Sequence, residues 1–182
     1  AALAQLTPCV SLLRHTFGHL PGVGGTKEQR VWDAGVLTWQ DLLVQAQTDR
    51  RAKRWEAELM RSEECLNTAN SGYFAGNLPS AEQWRMFTDF YDSTAYVDIE
   101  TTGLMEGVSR ITTIALYDGQ SVTYVQGRNL EDFADDIRGY RLLVTFNGKC
   151  FDAPFLERLF PGQLPAAHVD LRFVLKSLGI RG

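Results

Sequence analysis

The sequence predicts an α/β fold, a mixed sheet flanked by helices, behind a small all-helical unit. Three observations carry that prediction. Apolar residues recur at helical spacing up to about residue 94 and alternate in the manner of strands from Ala95 onward. Three β-rich runs, "AYVDIE", "ITTIALYDG" and "QSVTYVQG", then follow one another, the last two joined through Asp118-Gly119, a dipeptide favoured in tight hairpin turns. After the hairpin, helical and strand patterns alternate. A hairpin followed by βα units implies antiparallel pairing in one half of the sheet and parallel pairing in the other.

Element by element, "SLLRHTF" reads as helical, and "LPGVGG" is a glycine-rich turn leading into a helix for which Thr26 and Gln29 have capping-box spacing and Gly35 supplies a C-cap. Thr38 starts another short helix. "DRRAKRWEAELMRSEECL" is read as one helix of mixed charge, and the basic residues around Arg50 to Arg54 as a solvated face. "NTANSGYFAGNLPS" is a polar connector, after which Ser80 and Gln83 form a second capping-box pair opening "AEQWRMFTDFY". Beyond the three strands come a helix "LEDFADDIRGY", a strand "LLVTF", a helix in "FDAPFLERLF", a short strand "AHVDL" and a last helix "RFVLKSLG". The expected organisation is a helical unit over 1–70, a connector and helix over 71–94, and the sheet domain over 95–182.

A chain of 182 residues that is 45% hydrophobic can bury a core. Its apolar stretches are too short to cross a bilayer, so no membrane partner is expected. Three cysteines without metal-type spacing predict reduced thiols in a cytoplasmic protein. A net charge of −4 disfavours a simple electrostatic clamp on nucleic acid. It is compatible with a carboxylate-built site whose cations, not side chains, face the phosphate.

Asp98 and Glu100 stand two apart in the first strand, on one face and about 7 Å apart along the backbone. Such a pair is either a solvated face or a site. Asp152 follows the strand Leu142–Phe146 and the Asn147-Gly148 turn, at the start of a helix whose Pro154 occupies an early position. It is thus presented at the C-terminal end of a strand, where open α/β sheets build their sites. Three carboxylates at about 5 Å would repel by roughly 3 kcal/mol per pair at an effective dielectric of 20. Divalent cations would relieve this, and oxygen-only ligands suit Mg²⁺ or Mn²⁺.

"DIETTGL" and "NGKCFDAPFL" together resemble the first two motifs of the DEDD 3′→5′ exonucleases, which have a ribonuclease H-like fold. The wider context, "HLPGVG", "VWDAGVLTWQDLL", "YFAGNLPSAEQWRMF" and "YVDIETTGL", resembles the YprB-type members over nearly the whole chain. The resemblance implies a two-metal nuclease acting on DNA or RNA. Asp98 would bridge two Mg²⁺ or Mn²⁺ ions, Glu100 would bind the ion that activates water, and Asp152 would complete the shell of the second. Asn147 and Phe151 match positions that shape the pocket, and Thr101 and Leu104 match positions near the terminal nucleotide. These enzymes carry a fourth Asp, preceded four residues earlier by Tyr or His, and no such pair follows "HVDLRFVLKSLGIRG". The expectation is therefore a chain cut before that ligand, beyond Gly182, and poorly active.

"LPGVGG" further resembles the turn of helix-hairpin-helix modules, which implies a phosphate contact at Gly22, Gly24 and Lys27, helped by Arg30 and opposed by Glu28. A plain inter-helix turn is the alternative. His15 and His19 stand at a zinc-compatible spacing but lack a third ligand, Trp32 and Trp39 are read as core anchors, His168 as a hydrogen-bonded strand-end residue, and Asp170 as a helix cap. A metal-dependent nuclease is the leading function, and a non-catalytic nucleic-acid-binding or scaffolding module is the alternative.

Overall fold

The computed structural model describes residues 10–103 and 108–180. The chain divides into two compact units, Ala1–Asp89 and Phe90–Gly182.

The first unit is helical. A 3₁₀ turn at Leu13–His15 precedes α1 (Gly25–Asp33), α2 (Trp39–Ala46), α3 (Arg50–Lys53), α4 (Glu56–Asn67), α5 (Ser71–Asn77) and a 3₁₀ segment at Ser80–Met86. Thr38 caps α2 as expected, in a reciprocal box with Asp41. Gly35, at φ 81°, follows the end of α1 and donates its N–H to the Trp32 carbonyl.

Other expectations need correction. The α1 cap is Gly24, with no side-chain bond, and Gln29 instead donates to Asp33. Pro79 precedes the 3₁₀ segment, and Gln83 donates to the Ala75 carbonyl. The long mixed-charge helix breaks at Trp55, whose indole N–H donates to the Pro21 carbonyl. Within the stretch read as a polar connector, Asn70 caps α5, which buries Tyr73 and Phe74. Trp39 is buried and donates to the Thr16 carbonyl, while half-buried Trp32 donates to that of His15.

Glu28 shows the largest departure. Read as a surface acid opposing phosphate, it is buried, accepts the N–H groups of Phe17 and Gly18 at 2.6 and 2.9 Å, and pairs with Arg85 at 2.9 Å. Its charge is spent holding the turn that precedes α1.

The second unit opens with a 3₁₀ turn at Tyr91–Ser93 and holds β1 (Thr94–Thr101), β2 (Ile111–Tyr117), β3 (Ser121–Val125), a 3₁₀ turn at Leu130–Asp132, α6 (Phe133–Ile137), β4 (Leu142–Thr145), α7 (Asp152–Leu159), β5 (Ala167–Asp170) and α8 (Leu171–Ser177). The sheet order is β3-β2-β1-β4-β5. The pairs β1–β2 and β2–β3 are antiparallel, and β1–β4 and β4–β5 are parallel. This is the mixed sheet flanked by helices that the pattern predicts, with helices preceding it. Gly119, at φ 113°, makes the β2–β3 turn.

Strand alternation explains the layering. Ala95, Val97 and Ile99 face a core shared with Ile114, Leu116 and Leu143 and with Phe133, Ile137, Phe155 and Leu156 of α6 and α7. Burying a side chain of this size contributes about 1.5–3 kcal/mol. Asp98 and Glu100 take the alternate positions and are exposed.

Candidate active site

Residues from β1, from the β4–α7 turn and from the end of β5 make up the candidate site. The β1–β4 register ends at Tyr96 with Val144, so β1 runs on past its parallel neighbour. The Ile99 N–H is met there by Asp152, whose Oδ1 accepts it at 3.1 Å. One acid from the second motif is thus bonded to the strand that carries the first. The β1–β2 register shifts between Glu100 and Thr101, an irregularity of the kind that re-aims side chains at a strand end.

Asp152 is 3% exposed. Burial raises its carboxyl to about 6, and repulsion from Asp98 and Asp170 adds to this against hydrogen bonds from the N–H groups of Asp152 itself and Ile99. A desolvated carboxylate beside another is chemically suited to a hard divalent cation. Among the described residues, however, no group of three or more His, Cys, Asp or Glu side chains is placed to hold a metal ion. Asp152, buried and within electrostatic reach of Asp98, has the donor chemistry such a cation takes, and Glu100 is not gathered with the two into a ligand group.

The other predicted residues have definite local roles. Thr101 donates its hydroxyl to the Gly103 carbonyl at 2.6 Å. Phe151 is half-buried, with its ring 5.1 Å from that of Phe155. Asn147 has φ 63°, donates its N–H to Asp170 and accepts a bond from Arg172 through its side chain. Leu104 lies outside the described residues. His168 bonds the Thr145 hydroxyl through Nε2 at 2.8 Å, and burial pushes it down to about 4. Asp170 caps α8 through the Arg172 N–H.

Two features escaped the sequence reading. Gly148 is buried against Thr145, and a Cβ placed on it would lie 2.2 Å from the Thr145 hydroxyl oxygen. Asp170 does more than cap, since it also accepts the N–H groups of Asn147 and Lys149 at 2.8 and 3.0 Å. An acid at the end of a buried strand was the available signal.

In the helical unit, Gly22 has φ 71° and its carbonyl accepts Lys27 Nζ at 2.6 Å, while Gly24 precedes α1 in extended conformation. His15 bonds the Leu37 carbonyl through Nδ1 and His19 bonds Ser62 through Nε2, so each of the pair has a separate packing role.

Residues 95–182 match the RNase_H superfamily. A crystal structure of the Aedes aegypti Nibbler EXO domain is similar at 14% sequence identity with a TM-score of 0.39. The similarity covers 54% of this chain and 52% of that one, so the chain spans about half of that domain. No curated protein matches the chain.

Proposed function

We propose that the chain is the core of a divalent-metal-dependent nuclease, a DEDD-type 3′–5′ exonuclease, hydrolysing phosphodiester bonds of DNA or RNA. The observation that carries the proposal is the docking of buried Asp152 onto β1 through the Ile99 N–H, where β1 outruns β4 and within electrostatic reach of Asp98, inside the segment that matches the RNase_H superfamily. A nuclease-type fold implies a nucleic-acid substrate.

Asp98, Glu100 and Asp152 would hold Mg²⁺ or Mn²⁺, two ions in the complete site. Bound there, the cations would supply Lewis acidity toward the phosphodiester and offset its charge. The residues themselves orient and exclude. Asp152 is fixed by the Ile99 N–H, and Phe151, packed on Phe155, and Asn147 would shape the pocket. Thr101 and Leu104 would flank the terminal nucleotide. In the helical unit, Gly22, Gly24 and Lys27 would contact a phosphate, the ammonium being held at the turn by the Gly22 carbonyl.

A non-catalytic nucleic-acid-binding module is the second reading, favoured by the absence of a three-acid group among the described residues. One experiment separates the two. Mn²⁺ is titrated into the chain and into Asp98→Ala, followed by electron paramagnetic resonance, and 5′-labelled single-stranded DNA and RNA are then incubated with each. The expected result is Mn²⁺ affinity at least tenfold weaker in Asp98→Ala, with any Mn²⁺-dependent shortening from the 3′ end abolished. Binding that is indifferent to Asp98 overturns the nuclease reading.

A further inference from the structure

Asp170 lies at the end of β5, 3% exposed, with Thr145 of β4 beside it in register. Its carboxylate accepts three backbone N–H groups. Oδ1 takes those of Asn147 at 2.8 Å and Arg172 at 3.0 Å, and Oδ2 takes that of Lys149 at 3.0 Å. The Arg172 bond caps α8. The other two reach 23 and 21 residues back along the chain, to the turn that delivers Asp152, and a helix cap has no need of them.

The path from this carboxylate to Asp152 is short and bonded throughout. Asn147 is held in the left-handed region at φ 63°, a conformation that persists when its surroundings enforce it, and Arg172 bonds its side chain as well. Gly148, between the two tethered residues, accepts the Ala153 N–H at 2.8 Å, which ties the turn to the first turn of α7. Asp152 is the neighbouring residue, and its Oδ1 accepts the Ile99 N–H. Charge-assisted bonds of this kind are short and about twice as strong as neutral ones.

We infer that Asp170 is a positioning residue, whose carboxylate clamps the 147–149 turn and so fixes the Asp152 carboxylate against β1. The inference rests on the nuclease reading for its functional meaning, but its geometry is measurable without metal or substrate. Ile99 supplies the readout, because its amide is protected by Asp152 itself.

The test is amide hydrogen exchange by NMR on the whole chain in EDTA, with Mn²⁺ affinity measured in parallel. Asp170→Ser keeps an N-cap acceptor for α8 and is too short to hold the turn. Asp170→Asn keeps one acceptor and loses the bond to Lys149. Asp170→Ser is expected to speed exchange at Asn147, Lys149 and Ile99 at least tenfold, with Ile114 and the α8 amides unchanged, and Asp170→Asn to give a smaller rise at Ile99. A role confined to capping would move the α8 amides and leave Ile99 alone. Unchanged Ile99 exchange with Asn147 and Lys149 released overturns the inference. If Asp170→Ser unfolds, the Asp170→Asn arm decides by the same criterion. Asp98→Ala, which leaves the clamp intact, should lower Mn²⁺ affinity without releasing the amides of Asn147 and Lys149. Mn²⁺ affinity unmoved by Asp98→Ala refutes the nuclease reading and leaves the clamp standing.

Discussion

At the scale of single residues, the helical unit holds a titratable group that makes its stability depend on pH. His19 is 3% exposed among Trp39, Tyr73 and Phe74. Its Nε2 bonds the Ser62 hydroxyl, which also meets the Tyr73 hydroxyl, and Tyr73 donates to Glu58. Nδ1 has no hydrogen-bond partner among the described residues. Protonation would therefore create a buried cation with an unpaired N–H, and burial pushes the imidazole down to about 4. The unfolded chain takes up that proton near 6.5. The stability contributed by neutral His19 is thus fully present above 6.5 and is lost as pH falls from there to about 4, at roughly 3 kcal/mol in total. His168 shifts in the same direction, so replacing His19 removes part of the effect. Urea unfolding at pH 7 and pH 4.5 should show the wild type losing about 2 kcal/mol more than His19→Leu over that interval. Equal losses would show that the ring is not desolvated as described.

At the scale of elements, the β4–α7 turn is the tightest part of the candidate site. A Cβ at Gly148 would stand 2.4 Å from the Thr145 Cβ and 2.7 Å from its Cγ2. These atoms sit at the root of a β4 side chain whose hydroxyl is already committed to His168, so they cannot swing aside. Gly148→Ala should cost about 3 kcal/mol, at the upper end of ordinary overpacking, read as a lower urea midpoint with an unchanged slope. Mn²⁺ affinity should fall with it, because the turn carries Asp152. The strands, the hairpin and the α2 cap were legible in the sequence because each rests on residues within about ten positions of one another. Asp98, Glu100 and Asp152 could be singled out for the same reason, two short motifs each read locally. What was hidden rests on distant partners. Glu28 looks like any surface acid until Arg85, 57 residues on, neutralises it. Asp170 reads as a cap until the turn 21 to 23 residues earlier folds back onto it. The capping boxes at Thr26 and Ser80 failed in the opposite way, as local spacings that the surrounding packing did not use.

At the scale of the whole molecule, the distribution of charge bears on how a polyanion could be held. Residues 90–182 carry nine Lys and Arg against twelve Asp and Glu, and residues 1–89 carry nine against ten. Neither unit is basic overall, so any attraction to nucleic acid, as the proposed function requires, would come from a local concentration of cations or from bound metal. The densest concentration is Arg50, Arg51, Lys53 and Arg54, all exposed. The Arg54 guanidinium lies 4.0 Å over the Trp55 ring, and the Trp55 N–H bonds the Pro21 carbonyl. The next carbonyl along, that of Gly22, receives Lys27. Arg54 and Lys27 are therefore anchored at one turn, through neighbouring residues. This gives the basic run a defined relation to the expected phosphate contact, beyond the solvated face read from its sequence. In EDTA, where a carboxylate site cannot recruit cations, binding of a single-stranded oligonucleotide should depend on this strip. Replacing the four basic residues of the 50–54 run by Gln is expected to weaken binding at low salt at least tenfold. It should also flatten the dependence of log affinity on log salt by about two to three, the slope expected for losing three or four phosphate neutralisations on a single strand. Fluorescence anisotropy at several salt concentrations measures both quantities. Asp98→Ala, changed in the other unit, should leave the EDTA slope as it is and lose the gain that Mn²⁺ brings. A salt slope untouched by the four replacements would remove the helical unit from substrate binding and leave recognition to the residues around Asp98 and Asp152.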